Sequence, residues 1–271
     1  MTEFKYEALF PGGRKRALTL SYDDGMIYDR QLVDMFDRYK LKATFHLSSG
    51  KLGSKAVGED EYIKEDEIED LYDGHEISSH FVNHPHPLQL NRIRLINEVI
   101  EDRRRLEELA GSIVRGMSYP YGEYSDDIVS SIEAAGMEYS RTVNSTGNFS
   151  LPVDFLRWDP TCHHKDAHKY LGQFLNPFGY EDLMLFYVWG HSFEFHREDN
   201  WDMMEDFCKK VSGHDDIWYA TNIELKDYIT AIRGLVTNVD ETLLYNPSGV
   251  TLCIGTGGTV KELGPLETIR L

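Results

Sequence analysis

Short apolar runs rich in β-branched and aromatic residues alternate along most of this chain with segments of helical period. This alternation is typical of βα units that build a mostly parallel sheet or barrel. Seven strands are predicted, at residues 18–23, 42–47, 75–79, 116–120, 138–143, 183–189 and 216–221. The pattern therefore predicts an α/β fold, in which functional residues are expected at the carboxyl ends of the strands.

Two of the predicted helices have recognisable ends. The first runs from about Pro87 to Ala110 and stops at Gly111. The second starts at Ser125, a residue type that caps the amino ends of helices, and stops at Gly136. The spacing of apolar residues predicts that the first helix buries a stripe of Leu90, Ile93, Ile96, Val99 and Ile100, and the second a stripe of Ile128, Val129 and Ile132.

The last part of the chain has a different pattern. Residues 236–271 show no helical period and contain alternating runs, which predict a small β appendage packed on a barrel domain of residues 1–235. The appendage can cover one mouth or side of the barrel, or pack as a separate sheet. The Gly-rich segment 255–258 lacks the preceding strand and following helix of a phosphate-binding loop, so a turn is predicted there.

Composition excludes several classes of partner. The net charge of −18 repels phosphate backbones and anionic membrane surfaces, so neither nucleic acid nor a membrane is expected as a partner. The three cysteines lack the pairing of a disulfide framework or a zinc knot, and a reducing compartment is expected. Because no leader-like segment is recognised and the longest apolar run (183–189) is too short to span a bilayer, we expect a cytoplasmic protein. The oligomeric state is left open.

Two segments at predicted strand ends carry residues that can bind a metal ion. In SYDDG (21–25), Asp23 and Asp24 form either a turn that caps the next helix or part of a site. In HFVNH (80–84), the two histidines are four residues apart, and in a helical turn they project to the same side. With a carboxylate from the other strand end, they complete an N,N,O set of ligands that leaves coordination positions open for water and substrate.

A third segment, MSYPYG (117–122), follows the fourth predicted strand. Pro120 and Gly122 make a rigid, sharply turning loop around Tyr121, which can bring a backbone N–H close to a bound oxygen. The alternative is an ordinary βα turn.

Together these segments resemble the polysaccharide deacetylases of the NodB-homology type, carbohydrate esterase family four. SYDDG is similar to the family's T-[FY]-D-D-G, GHEISSHFVNHP to G-H-E-[IV]-x-x-H-[ST]-x-x-H-P, and MSYPYG to [FR]-x-P-Y-G. Their order and approximate spacing agree over residues 17–221. The resemblance implies a distorted (β/α)₇ barrel and hydrolysis of N-acetyl, or alternatively O-acetyl, groups on a carbohydrate, with release of acetate.

The resemblance also implies roles for individual residues. Asp24, His80 and His84 are expected to hold a divalent metal ion, with zinc as the first candidate and cobalt, nickel or manganese also accepted by such a site. Asp23 is expected to act as the base that activates a metal-bound water. The backbone N–H of Tyr121 is the expected oxyanion donor, and His191, after the run LMLFYVWG, is the expected general acid.

This chain departs from the family pattern at several positions. Ser118 stands where the family has an arginine that orients the base, and Arg157 is a candidate to replace it from the next segment. The family's fourth motif, an aspartate that partners the general acid, is poorly matched, and Asp159 is the best candidate. Phe81 replaces the usual Ser or Thr after the first ligand histidine.

These departures leave two other functions open. One keeps the barrel and metal but hydrolyses a small non-carbohydrate amide. The other is a carbohydrate-binding protein that has lost catalysis. Acetate release from acetylated oligosaccharides, turnover of small amides, and sugar binding without turnover distinguish the three hypotheses.

Overall fold

The computed structural model describes residues 6–56, 60–178 and 182–271, which form fourteen strands and eight α-helices. The strands are β1 (Glu7–Leu9), β2 (Arg16–Asp24), β3 (Ala43–Leu47), β4 (Glu76–Ser79), β5 (Gly116–Ser118), β6 (Tyr139–Arg141), β7 (Cys162–His163), β8 (Met184–His191), β9 (Ile217–Tyr219), β10 (Val236–Thr237), β11 (Leu243–Tyr245), β12 (Leu252–Thr256), β13 (Thr259–Leu263) and β14 (Thr268–Arg270). The helices are α1 (Asp29–Arg38), α2 (Ile68–Leu71), α3 (Arg92–Ala110), α4 (Asp126–Ala134), α5 (Ala167–Leu175), α6 (Ser192–Arg197), α7 (Trp201–Val211) and α8 (Asn222–Arg233).

Strands β2 to β9 form one curled parallel sheet in the order β6-β5-β4-β3-β2-β8-β7. The ninth strand pairs with the start of β2, beside the stretch of β2 that pairs with β3. All seven predicted strands lie in this sheet, so the predicted barrel-like α/β fold is confirmed. The additional strand, β7, has only two residues and was not predicted, because so short a run carries no periodicity.

The central strands are buried on both faces, as expected for a parallel sheet covered by helices. Eight of the nine residues of β2 and seven of the eight residues of β8 are buried. The largest apolar cluster joins these strands to α1 and α7 through side chains that include Leu20, Tyr22, Phe36, Phe186 and Phe207. The carboxyl ends of β2 and β8 are therefore held by a packed core.

The structure corrects one helix prediction and confirms the other. In α3 the buried residues are Leu95, Val99, Asp102 and Leu106. Of the predicted stripe, Val99 is buried, Leu90, Ile96 and Ile100 are half-buried, and Ile93 is 75% exposed, so the prediction is wrong at Ile93. At 100° per residue, Ile93 lies on the side of α3 opposite the face formed by Leu95, Val99, Asp102 and Leu106, and the helix begins only at Arg92, after a 3-10 turn at Pro87–Gln89. In α4, the Ser125 side chain accepts a hydrogen bond from the backbone N–H of Ile128, and the predicted apolar stripe is buried.

The C-terminal strands pair with one another and with the start of the chain. One small sheet has the order β1-β12-β13 and another β10-β11-β14. The Tyr228 hydroxyl of α8 donates to the Leu9 carbonyl at 2.7 Å and accepts from the Cys253 backbone N–H at 2.9 Å, which ties the first sheet to the barrel. Gly257 and Gly258 form the predicted turn, both with positive φ. The domain division at residue 235 stays a prediction.

The cysteines and the helices bear on the expectations drawn from composition. The three cysteines are free and buried. No helix among these residues is long and apolar enough to cross a membrane.

A buried carboxylate, Asp29, connects three helices near the end of β8. It accepts a hydrogen bond from the Tyr72 hydroxyl at 2.7 Å and a short one from the Ser192 hydroxyl. Its side chain is fully buried, and this burial raises the pKa of Asp29 to about 7. Ser192 directly follows His191, so Asp29 helps to fix the segment that carries the expected general acid.

This raised pKa predicts a pH dependence of stability. The folded state holds the Asp29 proton up to about pH 7, whereas the unfolded chain releases it near pH 4. The free energy of unfolding should therefore fall as the pH rises from about 4 to 7, by an amount on the order of 2–4 kcal/mol from this group. In Asp29→Asn, which is uncharged at every pH, urea unfolding should lack this part of the decline.

The matched control is Asp34→Asn on the same helix, where the carboxylate is exposed and paired with Arg38. Its pH profile should run parallel to that of the wild type. If the Asp29→Asn profile also runs parallel, the buried carboxylate does not titrate as described.

Candidate active site

The ends of neighbouring strands bring the predicted site residues together. In the parallel register, Asp23 of β2 pairs with His191 of β8. The Asp24 Oδ1 atom lies 3.8 Å from His80 Nε2 and 3.6 Å from His84 Nε2. Asp24, His80 and His84 form one of the groups of described residues whose ligand atoms can hold a metal ion, all within 4.8 Å of one another. The fold therefore brings these three predicted residues together.

The histidines do not reach this arrangement through a helical turn, so that prediction is wrong. Residues 80–84 form an irregular loop, with positive φ at Phe81 (60°) and His84 (51°). Asp24 (82°) and Tyr121 (58°) also have left-handed backbones. Such conformations cost free energy for residues with a side chain, and they concentrate at functional sites. These residues lie at or after the carboxyl ends of β2, β4 and β5, at the same edge of the parallel sheet.

The imidazole of His80 has a defined tautomer. Its Nδ1 atom lies 3.0 Å from the Ser118 carbonyl oxygen and 2.7 Å from the Ser118 hydroxyl. Because a carbonyl oxygen only accepts hydrogen bonds, Nδ1 carries the proton and Nε2 presents its lone pair toward Asp24. A ligating histidine commonly uses its second nitrogen in this way.

A second buried carboxylate, Asp102 of α3, fixes the backbone of the same loop. It accepts hydrogen bonds from the Ser79 hydroxyl at 2.6 Å, the His80 N–H at 3.1 Å and the Ser49 N–H at 2.7 Å. Burial raises the pKa of Asp102 to about 6. The sequence analysis missed this residue, although its spacing from Leu95 and Val99 places it on the buried face of α3.

The base candidate, Asp23, forms a buried ion pair with Arg141. The Arg141 side chain is fully buried and donates a short hydrogen bond to Asp23 Oδ2, while the Ser118 hydroxyl donates to Asp23 Oδ1 at 3.2 Å. Burial alone opposes ionisation of Asp23, but the positive charge of Arg141 holds the pKa of this carboxyl well below its usual range. The Arg141 guanidinium also lies 4.3 Å from the ring centroid of Trp189.

Arg141 therefore occupies the role that the sequence analysis offered to Arg157. The Arg157 guanidinium instead pairs with Asp154 at 2.5 Å and with Asp126 at 2.7 Å, on the outside of the barrel. The missed signal is the run EYSRTV, where a charged residue stands within a buried strand. A fully buried arginine requires a partner, and the partner here is the base candidate.

His191 lies beside Asp24, with the carboxylate of Glu194 at its other ring nitrogen. Its Nε2 atom is 4.0 Å from Asp24 Oδ2, and its Nδ1 atom is 3.3 Å from Glu194 Oε2. Burial disfavours the charged imidazole, but the hydrogen bond to Glu194 and the charge of Asp24 together raise the pKa of His191. The sequence analysis did not consider Glu194, three residues further along at the start of α6.

Asp159, the expected partner of His191, lies elsewhere. It accepts a short hydrogen bond from the Thr142 hydroxyl and one from the Asn144 amide at 3.3 Å. The structure therefore does not bring Asp159 to the histidine, because the segment that carries it runs beside β6 rather than β8.

Tyr121 borders the ligand group. Its ring stacks on His86 at a centroid distance of 3.8 Å and meets His84 edge-on at 4.6 Å. The side chain is 55% exposed, so a face is accessible to a ligand. The expected use of its backbone N–H as an oxyanion donor stays a prediction.

The buried ion pair predicts a strong energetic coupling. Arg141→Met should leave Asp23 as an uncompensated buried charge and lower the free energy of unfolding by about 3–5 kcal/mol. The double variant Asp23→Asn/Arg141→Met should lose less than the sum of the two single losses, as measured by urea unfolding in the presence of a chelator. Additive losses would contradict the pairing. Arg157→Met, which removes two partly exposed ion pairs, should lower the free energy of unfolding by about 1 kcal/mol or less.

The sequence is similar to those of known polysaccharide deacetylases. Residues 11–140 match the sequence model of the polysaccharide deacetylase family. The peptidoglycan-N-acetylglucosamine deacetylase of Bacillus cereus is 30% identical over 122 residues, which are 44% of this chain and 42% of that protein. A chitooligosaccharide deacetylase of Sinorhizobium fredii is 26% identical over 121 residues, which are 44% of this chain and 53% of that protein. The chain spans about half the length of these curated relatives.

The fold has a counterpart among solved structures. A Mycobacterium smegmatis structure, of a protein assigned to the polysaccharide deacetylases, superposes with a TM-score of 0.62 at 15% identity and covers 85% of this chain and 96% of that one. At this low sequence identity, the similarity shows a shared fold only. The matched residues include Asp23, Asp24, His80, His84 and Tyr121 but not Arg141 or His191. The family resemblance inferred from the three motifs is confirmed.

Proposed function

We propose that this chain is a metal-dependent hydrolase that removes the N-acetyl group from an amino sugar and releases acetate. The observation that carries the proposal is the convergence of Asp24, His80 and His84 beside a buried carboxylate that is paired with an arginine. The names of the two curated relatives, a peptidoglycan-N-acetylglucosamine deacetylase and a chitooligosaccharide deacetylase, favour an amide on a sugar over an O-acetyl ester.

The donor set suits a divalent ion. His80 presents a neutral Nε2 lone pair, and Asp24 provides a carboxylate that faces both histidines. Two imidazoles and one carboxylate are ligands that zinc accepts, and they leave coordination positions open. When bound, the ion would supply positive charge that polarises the acetyl carbonyl and makes water easier to deprotonate.

Asp23 is the proposed base. Its pairing with Arg141 keeps the carboxylate ionised despite burial, and the Ser118 hydroxyl fixes its second oxygen. In the reaction, a water oxygen forms a bond to the acetyl carbon and the water's proton passes to Asp23. The Tyr121 backbone N–H is the proposed donor to the oxygen that becomes negative.

His191 is the proposed general acid. The carbon–nitrogen bond breaks as the nitrogen takes a proton from His191, so the products are acetate and a free amine. The raised pKa of His191 favours the protonated imidazole that this step needs. Glu194 accepts the Nδ1 hydrogen bond and is proposed to orient the ring, in place of Asp159. The exposed Tyr121 ring is a surface on which a sugar can pack.

The function is tested by metal content and acetate release measured on the same protein. Zinc- or cobalt-loaded wild type should release acetate from N-acetylated chito-oligosaccharides. Asp23→Asn should retain the ion at the ligand group but lose activity by a factor of about 100 or more, because the base is absent. Asp34→Asn is the matched control and should behave as wild type.

Other outcomes would replace the proposal. A binding protein would be favoured by two results together. His84→Gln loses the ion that wild type binds, and wild type turns over neither acetylated sugars nor small amides. Turnover restricted to small amides would favour a non-carbohydrate hydrolase. A wild type whose ion uptake is unchanged by His84→Gln would remove the metal centre itself.

A second variant pair tests which carboxylate supports the general acid. Glu194→Gln should lower kcat roughly 10- to 100-fold with little change in KM, because the histidine loses orientation and charge stabilisation but the substrate contacts remain. Asp159→Asn should change kcat by less than about threefold, since its partners are Thr142 and Asn144. The reverse order of effects would restore the expectation drawn from the sequence.

A further inference from the structure

Three histidines surround the carboxylate of Glu194. Its Oε2 atom lies 3.0 Å from His163 Nε2, 3.3 Å from His191 Nδ1 and 3.5 Å from His164 Nε2. His163, His191 and Glu194 form a second group of described residues whose ligand atoms all lie within 4.8 Å of one another. This group shares no residue with Asp24, His80 and His84.

The distances from Glu194 Oε2 suit a tetrahedral ion. Zinc bonds to nitrogen and oxygen of about 2.0–2.1 Å hold neighbouring donor atoms roughly 3.3 Å apart. The three separations from Glu194 Oε2 bracket that value. Both Nδ1 and Nε2 of a neutral histidine serve as metal ligands, so the different ring atoms present no obstacle.

His164 distinguishes a metal site from a simple hydrogen-bond network. Its side chain is fully buried, and across the described residues neither of its ring nitrogens has a hydrogen-bond partner. Burial lowers the pKa of His164 to about 2, so the ring is neutral and keeps a lone pair. Hydrogen bonds to Glu194 account for His163 and His191 but leave this histidine without a role.

The fold makes room for this ring. A Cβ atom on Gly190 would lie 1.9 Å from His164 Nδ1, so only glycine is tolerated at the residue before His191. Phe195 of α6 stacks on the other side, with a ring centroid distance of 4.2 Å. The position of His164 is therefore built into the packing of β8 and α6.

We propose that His163, His191 and Glu194, with His164 Nε2 directed at the same carboxylate oxygen, form a second, weaker site for a divalent cation of the zinc class, and that its occupation inhibits the enzyme. An ion held by His191 Nδ1 prevents that imidazole from taking up the proton that it delivers to the leaving amine. The inhibitory part rests on the proposed function, whereas the binding part does not.

Nearby charge and solvent access affect how tightly this second site binds a cation. The Lys165 ammonium lies 3.1 Å from Glu194 Oε1 and opposes a second positive charge, so this site should fill only at excess metal. The protein's net charge of −18 concentrates cations around it. The ligand side chains of His163, His191 and Glu194 are about one-fifth exposed, which gives an ion access from solvent.

Zinc binding by the full chain tests the site without reference to activity. Equilibrium dialysis with zinc alone should give two binding steps in wild type. His163→Gln, which keeps a side-chain hydrogen-bond donor but lacks the imidazole ligand, should weaken the second step by at least about tenfold and leave the first unchanged. His168→Gln, which alters the surface pair with Asp206, is the matched control and should keep both steps.

Cobalt provides a measurement that needs no variant. The second equivalent should add visible absorption bands typical of tetrahedral coordination. A single binding step in wild type, or a second step that His163→Gln leaves unchanged, overturns the proposal.

Activity separates the two proposals. If acetate is released, zinc in excess of one equivalent should inhibit wild type and His168→Gln but not His163→Gln. Equal inhibition of all three overturns the regulatory part. If no acetate is released under any condition, the proposed function fails, while the dialysis and cobalt results still decide the second site.

Discussion

The buried ion pair between Asp23 and Arg141 is the interaction on which the arrangement of the site depends. Both side chains are removed from water, so each charge would be costly without the other. The pair joins β2, at the centre of the sheet, to β6, at its edge. Ser118 of the intervening β5 binds both Asp23 and His80, so the base candidate and a ligand candidate are fixed by one network.

Much of the fold was predictable because the central strands carry strong local signals. Buried parallel strands are continuous apolar runs, and these runs located all seven predicted members of the sheet. The prediction failed at Ile93 because the buried face of α3 is centred on Leu95, Val99, Asp102 and Leu106, and a polar residue, Asp102, holds one of its positions. The two-residue β7 was too short to be recognised.

The candidate site was predictable only where its residues lie within one motif. Asp23, Asp24, His80 and His84 stand in short segments whose strand-end placement is legible in the sequence. Arg141 and Asp102 were missed, because their partners are distant along the chain and only the packing of strands and helices brings them together. Glu194 lies three residues from His191, but only the folded start of α6 shows that its carboxylate turns back toward the histidine.

Arg141 lies on β6, the strand at one edge of the parallel sheet. On one side β6 pairs with β5, and on the other it has only an isolated bridge between Arg141 and Trp158. Loss of these contacts would separate the guanidinium from Asp23 even if β2 and β8 remained paired. The ion pair at the centre of the site therefore depends on the pairing of a strand at the edge of the sheet, whose own residues are all buried.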